Sequence, residues 1–251
     1  METTYIEIDS PDKHLSDVLE EIPSNVILYK TLTGIGATYS EIKAQRHSII
    51  IEPNVPVIIG KCNSDKHKND NLLGVYEGVT TDRIIKYLGA SRGKYYKILT
   101  TPESFTKVED AFLIFNGKIY NTCFLLIDEA HKTIKDVDYR SDIVLPMNDF
   151  FKFKGKALVS ATPLKFSDPR FEENGFSIIK IEPTYDYAKE IDIKPSTNIL
   201  REVWEEFGWM PFITGQDKDR PFFIFINSVG IIYSIISQLK LFDKSSVFCA
   251  P

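Results

Sequence analysis

From residue 25 to residue 160 the chain alternates short apolar runs with longer stretches whose apolar positions recur at helical spacing. The apolar runs predict strands at 26–29, 48–51, 73–79, 97–100, 123–127 and 157–159. Between them, helices are expected at 38–46, from the Thr80-Thr81-Asp82 start to Leu88, and at 102–115. The last of these has Pro102 at its first position and Asn116-Gly117 just past its end, the usual asymmetry of helix termini. Strands apolar on both faces and separated by helices imply a parallel sheet covered on both sides, hence an α/β fold. In such sheets ligands bind beyond the carboxyl ends of the strands, which makes those ends the places to look for chemistry.

After residue 163 the pattern changes. Strands are expected at 176–181 and 188–193 without a long helix between them, and an amphipathic helix at 198–207. A stretch with Gly, Pro and charged residues follows and reads as a linker, 208–217. A new apolar strand at 221–226, a helix at 228–241 and a strand at 246–249 then read as the opening of a second α/β unit, 218–251, left incomplete. The expected division is therefore a first domain of residues 1–207 and the start of a second.

Composition excludes little. Hydrophobic residues make up 43% and charged residues 26%, ordinary for a globular protein. There is no apolar run of membrane-spanning length and no basic, apolar leader, so a cytoplasmic location is expected. Cys62, Cys123 and Cys249 have neither metal-site nor disulfide-framework spacing. A net charge of -5 argues against a protein basic all over, but a local track depends on where the cations sit. Two basic clusters exist, Lys61/Lys66/Lys68 and Lys152/Lys154/Lys156, and solvated loops are their plain reading.

The sharpest chemical signal is Leu125-Leu126-Ile127-Asp128-Glu129-Ala130-His131. An acidic pair at the end of a buried strand is costly to desolvate unless a cation sits beside it. The Mg²⁺ of a magnesium-nucleotide complex is the usual cation, the first carboxylate holding it and the second accepting a proton from the attacking water. The plain alternative is a strand that ends in a turn with two surface acids.

With Ala130-His131 following, the chain resembles the DEAD/DEAH-box helicases of superfamily 2. The resemblance covers residues 25 to 228 in order and spacing. It implies a RecA-like fold, a second RecA-like domain, ATP and Mg²⁺ as ligands, and nucleic acid, DNA or RNA, as partner. Thr33-Gly34-Ile35-Gly36-Ala37-Thr38 stands where that family has its phosphate loop, with Thr38 and Asp128 as the implied metal ligands. Asp128, Glu129 and His131 are the implied catalytic set, His131 linking nucleotide state to Ser160-Ala161-Thr162, which couples the site to the rest of the protein. Pro53, Thr101 and Pro102 stand where the family faces the nucleic-acid backbone. Hydrolysis in the family also takes an arginine finger from the second domain, for which these residues offer no candidate.

One position departs from the family. The lysine that reaches the β- and γ-phosphates is replaced by Ala37. Similar Gly-x-Gly-Ala-Thr loops occur in helicase-like proteins of bacterial viruses. Lys30, at the end of the strand that leads into the loop, is the nearest substitute; alternatively it caps the strand in solvent or pairs with a nearby acid. Three functions are compatible with these residues. They are an ATP-dependent helicase or translocase core, a weakened relative that binds without turnover, and a duplex translocase that does not unwind.

Overall fold

The computed structural model describes residues 1–32, 34–135, 149–162, 168–187 and 228–238, and singly 198, 201, 240, 242 and 247. The chain divides into two compact units, Met1–Ala188 and Lys189–Pro251.

The first unit is built on eight parallel strands: β1 (Thr3–Ile8), β2 (Val26–Lys30), β3 (His47–Ile51), β4 (Leu72–Val75), β5 (Lys97–Thr100), β6 (Cys123–Ile127), β7 (Gly155–Ser160) and β8 (Ser177–Pro183). Their order across the sheet is β1-β8-β2-β7-β6-β3-β5-β4, every pairing parallel. The described helices of this unit are α1 (Leu15–Val18), α2 (Ala37–Lys43), α3 (Val55–Cys62), α4 (Thr81–Ala90), α5 (Phe105–Phe115), α6 (Ile119–Thr122), α7 (Ala130–Lys135) and α8 (Arg170–Glu173). In the second unit the described helix is α9, Val229–Gln238, which falls within the expected 228–241.

Alternation along the central strands divides the core into two layers. Ile27, Ile49, Ile51, Leu125, Ile127 and Leu158 face one side with Ile84, Leu88, Phe105, Val108 and Phe112 of α4 and α5. Val26, Leu28, Ile50, Leu126, Ala157 and Val159 face the other with Leu15, Ala37, Ile42 and Ile58 of α1, α2 and α3. Both faces are covered, which is why these strands carry almost no polar residues.

The differences from the sequence pattern have local causes. The expected strand 73–79 is the shorter Leu72–Val75, and the chain turns at Gly78, whose φ of +83° favours glycine. Strand β1 escapes the apolar pattern because its exposed positions lack a continuous apolar run; it is a sheet edge held by β8 alone. Helix α3 is masked in the sequence by Pro53 and Pro56, yet Pro56 sits in its first turn, where the missing N–H costs nothing. The expected helix 102–115 opens as a 3₁₀ turn, Pro102–Ser104, before α5. The expected elements at 188–193, 198–207, 221–226 and 246–249 lie outside the described residues, apart from positions 198, 201 and 247.

A buried polar network anchors α2 to the sheet. Glu41, fully buried, accepts from Arg46 at 3.0 and 2.6 Å and from the Ser48 hydroxyl at 2.5 Å. The Lys97 ammonium donates to the carbonyls of Glu41 and Ala44 at 2.8 Å each and to Ser48 Oγ at 3.0 Å. Burial pushes Lys97 down to about 8, against the pull of Glu41. The network fixes the far end of α2 and so the orientation of the loop that precedes it.

Candidate functional site

The carboxyl ends of β2, β7, β6 and β3 lie side by side, and the segments that follow β2, β6 and β3 converge on one cavity of about 940 Å³. Lys30, Gly34, Gly36, Ala37, Thr38, Glu52, Asp128 and Glu129 are among the residues that line it.

The loop after β2 is held at both ends. Thr31 bonds the Ile181 carbonyl of β8 through its amide (3.4 Å) and its hydroxyl (2.7 Å). Farther on, the Ile35 carbonyl accepts from the Leu15 amide at 2.8 Å, while the Ile35 side chain is buried. Gly34 and Gly36 have φ of +80° and +88°, a left-handed backbone that a side chain would strain. Successive amides in such a turn form a concavity suited to an anion. Thr33 lies outside the described residues. Ala37 is 3% exposed and belongs to the apolar layer, so its methyl group is both wall of the cavity and part of the core.

At the end of β6 the acids are engaged by a single cation. Lys30 Nζ lies 2.9 Å from Asp128 Oδ1 and 2.8 Å from Glu129 Oε1. Lys30 and Asp128 are buried, at 6% and 4% exposure. Burial works against the Lys30 charge, but Asp128 and Glu129 outweigh it, and the ammonium titrates above the ordinary lysine range. Of the alternatives for Lys30, pairing with a nearby acid is what this geometry contains, and the pairing is with both acids. The Thr38 hydroxyl donates to Asp128 Oδ2. One hydroxyl and one carboxylate, both hard oxygen donors, fit a magnesium ion. Among the described residues no cluster of three or more His, Cys, Asp or Glu is placed to hold a metal, so such an ion needs further oxygens from phosphate and water.

Glu129 has φ of +50°, rare for a residue with a side chain and costing about 1–3 kcal/mol when it occurs. The turn is held by its amide, which donates to Asp128 Oδ1 at 2.9 Å, and by its carbonyl, which accepts from the Lys132 amide at 2.8 Å. Its carboxylate lies between Lys30 and His131, whose Nδ1 is 3.3 Å from Glu129 Oε2. The same Nδ1 is 3.2 Å from Ser160 Oγ. That hydroxyl donates to the Thr162 carbonyl at 2.8 Å and accepts from the Thr162 amide at 3.1 Å. A continuous polar chain therefore runs from Lys30 through Glu129 and His131 to Ser160 and Thr162.

The remaining sequence-predicted residues stand apart from the cavity. Thr101 and Pro102 are buried, the Thr101 amide bonding the Val75 carbonyl at 3.2 Å, and Pro53 is half-buried. Neither these three nor Ser160, Ala161, Thr162 or His131 lines the cavity.

Sequence reasoning missed several lining residues: Asp12, His14, Ser16 and Asp17 from the N-terminal segment, and Glu52, Lys61, Lys66 and Lys132. For Glu52 the signal was present, since it follows Ser48-Ile49-Ile50-Ile51 much as Asp128 follows its own apolar strand. Glu52 is 3% exposed, and Oε1 accepts from the amide and the side-chain nitrogen of Asn54, each at 3.2 Å. Burial, and then the charge of Asp128, push its carboxyl above the ordinary range. The N-terminal residues carry no comparable signal, because their place depends on β1 and α1.

No protein-family model matches the chain, and no curated protein does. Solved structures do resemble it. The DUF1998 helicase MrfA superposes with a TM-score of 0.50 at 12% identity, over 88% of this chain and 36% of that one. Mss116p, a double deletion bound to ssRNA and AMP-PNP, gives 0.47 at 13% identity, over 88% and 56%. The Hef helicase domain of Pyrococcus furiosus gives 0.44 at 15%, over 73% and 41%. The chain thus spans only part of each of these proteins. At such identity the MrfA likeness shows the fold: an α/β, RecA-like parallel sheet with helices on both faces.

Proposed function

We propose that this chain is the nucleotide-binding core of an ATP-dependent, helicase-like protein that acts on nucleic acid. The observation that supports this best is the convergence of a left-handed glycine loop, the Thr38 hydroxyl and the Asp128-Glu129 pair in one cavity at the carboxyl edge of a parallel sheet. In this reading the amides around Gly34, Ile35 and Gly36 receive phosphate oxygens. Thr38 and Asp128 hold Mg²⁺, which neutralises phosphate charge and orients the terminal phosphoryl group. Glu129 takes a proton from the attacking water, and His131 passes the state of Glu129 to Ser160.

The variant loop is then understood through Lys30. A buried ammonium shared by both carboxylates keeps the acidic pair compact, and its four-carbon stem would let it reach a bound phosphate if Mg²⁺ were held by Asp128. Pro53, Thr101 and Pro102 belong to the nucleic-acid side, and residues from about 218 to the opening of a second RecA-like domain.

Binding without turnover is the second reading. It is favoured by the pairing of Lys30 with both acids and by the alanine at position 37. Titration of the chain with Mg-ATP, with and without DNA or RNA, tests the proposal. Saturable binding that needs the triphosphate supports it; absence of nucleotide binding under all conditions refutes it.

A further inference from the structure

The basic cluster Lys61/Lys66/Lys68 has no part in the reading above, yet two of its members line the same cavity as the phosphate loop. Lys61 lies in the last turn of α3, and Lys66 in the 3₁₀ turn Asp65–His67 that follows; both face the cavity shared by Gly34, Gly36, Thr38 and Asp128. We propose that Lys61 and Lys66 bind the phosphates of the nucleotide and supply, from outside the loop, positive charge that position 37 lacks. The proposal rests on the nucleotide-binding reading of this cavity.

Three observations carry it. First, two of the other cations nearby, Lys30 and Lys43, are occupied, while Lys132 enters from the helix after β6, on the side of the acids. Lys30 is held by Asp128 and Glu129, and Lys43 by both oxygens of Asp70 at 2.8 and 2.6 Å. The ammonium groups of Lys61 and Lys66 have no hydrogen-bond or ion-pair partner among the described residues, so a ligand need not compete with an existing anion.

Second, the backbone that carries Lys66 is fixed. The Lys66 carbonyl accepts from Lys43 Nζ at 3.2 Å, and its amide donates to Ser64 Oγ at 3.3 Å. The next residue, the buried His67, is held by Asp70 at 2.8 Å and lies against Tyr39, with ring centroids 5.4 Å apart. Tyr39 belongs to α2 and itself lines the cavity. The Lys66 turn is thus set by the same helix that follows the loop, and Lys61 by α3, with both side chains left free. Pre-set backbone and unpaired charge are what a phosphate site needs, since the ordering cost on binding falls on the side chains alone.

Third, the charge around the cavity is uneven. Glu52, Asp128 and Glu129 line it from the sheet ends, with Lys30 paired to the last two, whereas Lys61 and Lys66 come from α3 and the turn after it. Lys61 is near enough to ease the ionisation of Glu52, yet the two form no ion pair. A magnesium-bound triphosphate still carries net negative charge and is the ligand that such an arrangement takes between its cationic and acidic sides. The nucleic-acid backbone is the competing ligand for any lysine cluster. The cavity argues for the nucleotide, because Lys61 and Lys66 share it with the glycine loop while Lys68 does not line it.

The test compares the parent chain with Lys61→Ala, Lys66→Ala, their double variant and the double arginine variant. Calorimetric titration uses a non-hydrolysable ATP analogue with Mg²⁺, AMP, and a single-stranded oligonucleotide. Expected is a loss of roughly tenfold in analogue affinity for the double alanine variant, little change for AMP, and recovery with arginine. Thermal unfolding of the free variants matching the parent shows that the fold is kept. The inference is overturned if the double alanine variant binds the analogue as the parent does. It is equally overturned if only oligonucleotide binding falls, which assigns the lysines to nucleic acid. A parent that binds no analogue at all removes the nucleotide reading itself, an outcome visible before any variant is made.

Discussion

Replacing Lys30 by Met keeps the length of the side chain and removes its charge. In the free protein this leaves Asp128 and Glu129 adjacent and without their shared cation, the Asp128 side chain at 6% and that of Glu129 at 22% exposure. Removing one partner of a buried ion pair costs about 3–5 kcal/mol. Partial solvation of Glu129 and the Thr38 hydroxyl on Asp128 offset part of this, which places the expected loss near the lower end, about 3 kcal/mol. For a unit of this size each kcal/mol moves Tm by about 2–4 °C, so Lys30→Met should melt about 6–12 °C below the parent at pH 7. Calorimetry or circular dichroism reads this directly. Adding Asp128→Asn to Lys30→Met should recover part of the loss, since one stranded charge is gone, and millimolar Mg²⁺ should stabilise Lys30→Met more than the parent. A Lys30→Met protein melting within about 1 °C of the parent would refute the buried pairing and with it any exchange of Lys30 between acids and phosphate.

Further outcomes follow from the same geometry. Glu129→Gln should keep Mg-ATP binding close to the parent and abolish turnover in a chain that carries a complete second domain, as measured by phosphate release; wild-type turnover there would exclude Glu129 as the base. The 251 residues alone should show negligible ATP hydrolysis, because a finger from a second domain is worth roughly 10³-fold or more in related chemistry, and robust hydrolysis would show that none is needed. Glu52 titrates above its ordinary range in the fold, so its contribution to stability is present below the unfolded value and is lost as pH rises through the folded one. Glu52→Gln should therefore raise Tm at pH 7 and change it little near pH 4, and an equal effect at both would contradict the buried carboxylate. Gly36→Ala, at φ of +88°, should cost about 1–2 kcal/mol by unfolding and weaken nucleotide binding as the loop relaxes.

The sheet was legible because its central strands are apolar on both faces and its helices begin and end on Pro, Thr and Gly signals. The acids were legible because two carboxylates at the end of such a run are costly to bury without a cation beside them. What pairs with them was not. Lys30 and Asp128 are 98 residues apart, and nothing local distinguishes a lysine that reaches across β7 from one that caps β2 in solvent. The N-terminal residues that line the cavity were illegible for the same reason, since Asp12, His14 and Asp17 are placed by the Leu15 bond to Ile35 and not by their own sequence. Lys61 and Lys66 were visible as a cluster, but only the fold shows that they line the cavity while Lys68 does not.

The register of β1 sets an order of events during synthesis. Thr3 pairs with Ile178 and Ile8 with Pro183, and among the described residues no other strand pairs with β1. Strand β2 likewise lies between β7 and β8 and has no neighbour from the first 150 residues. At a ribosomal rate of about 5–20 residues per second, β1 waits on the order of 10–35 s for its partner to be made. Until β7 is made, for most of that interval, β2 also stays unpaired on both sides, and Lys30 cannot settle against Asp128 because the strand between them is missing. Unpaired strand edges are templates for pairing with other chains. Nascent chains stalled near residue 150 should therefore bind chaperones and fail to protect the N-terminal 30 residues from protease, whereas chains stalled far enough past residue 183 for β8 to clear the exit tunnel should protect them.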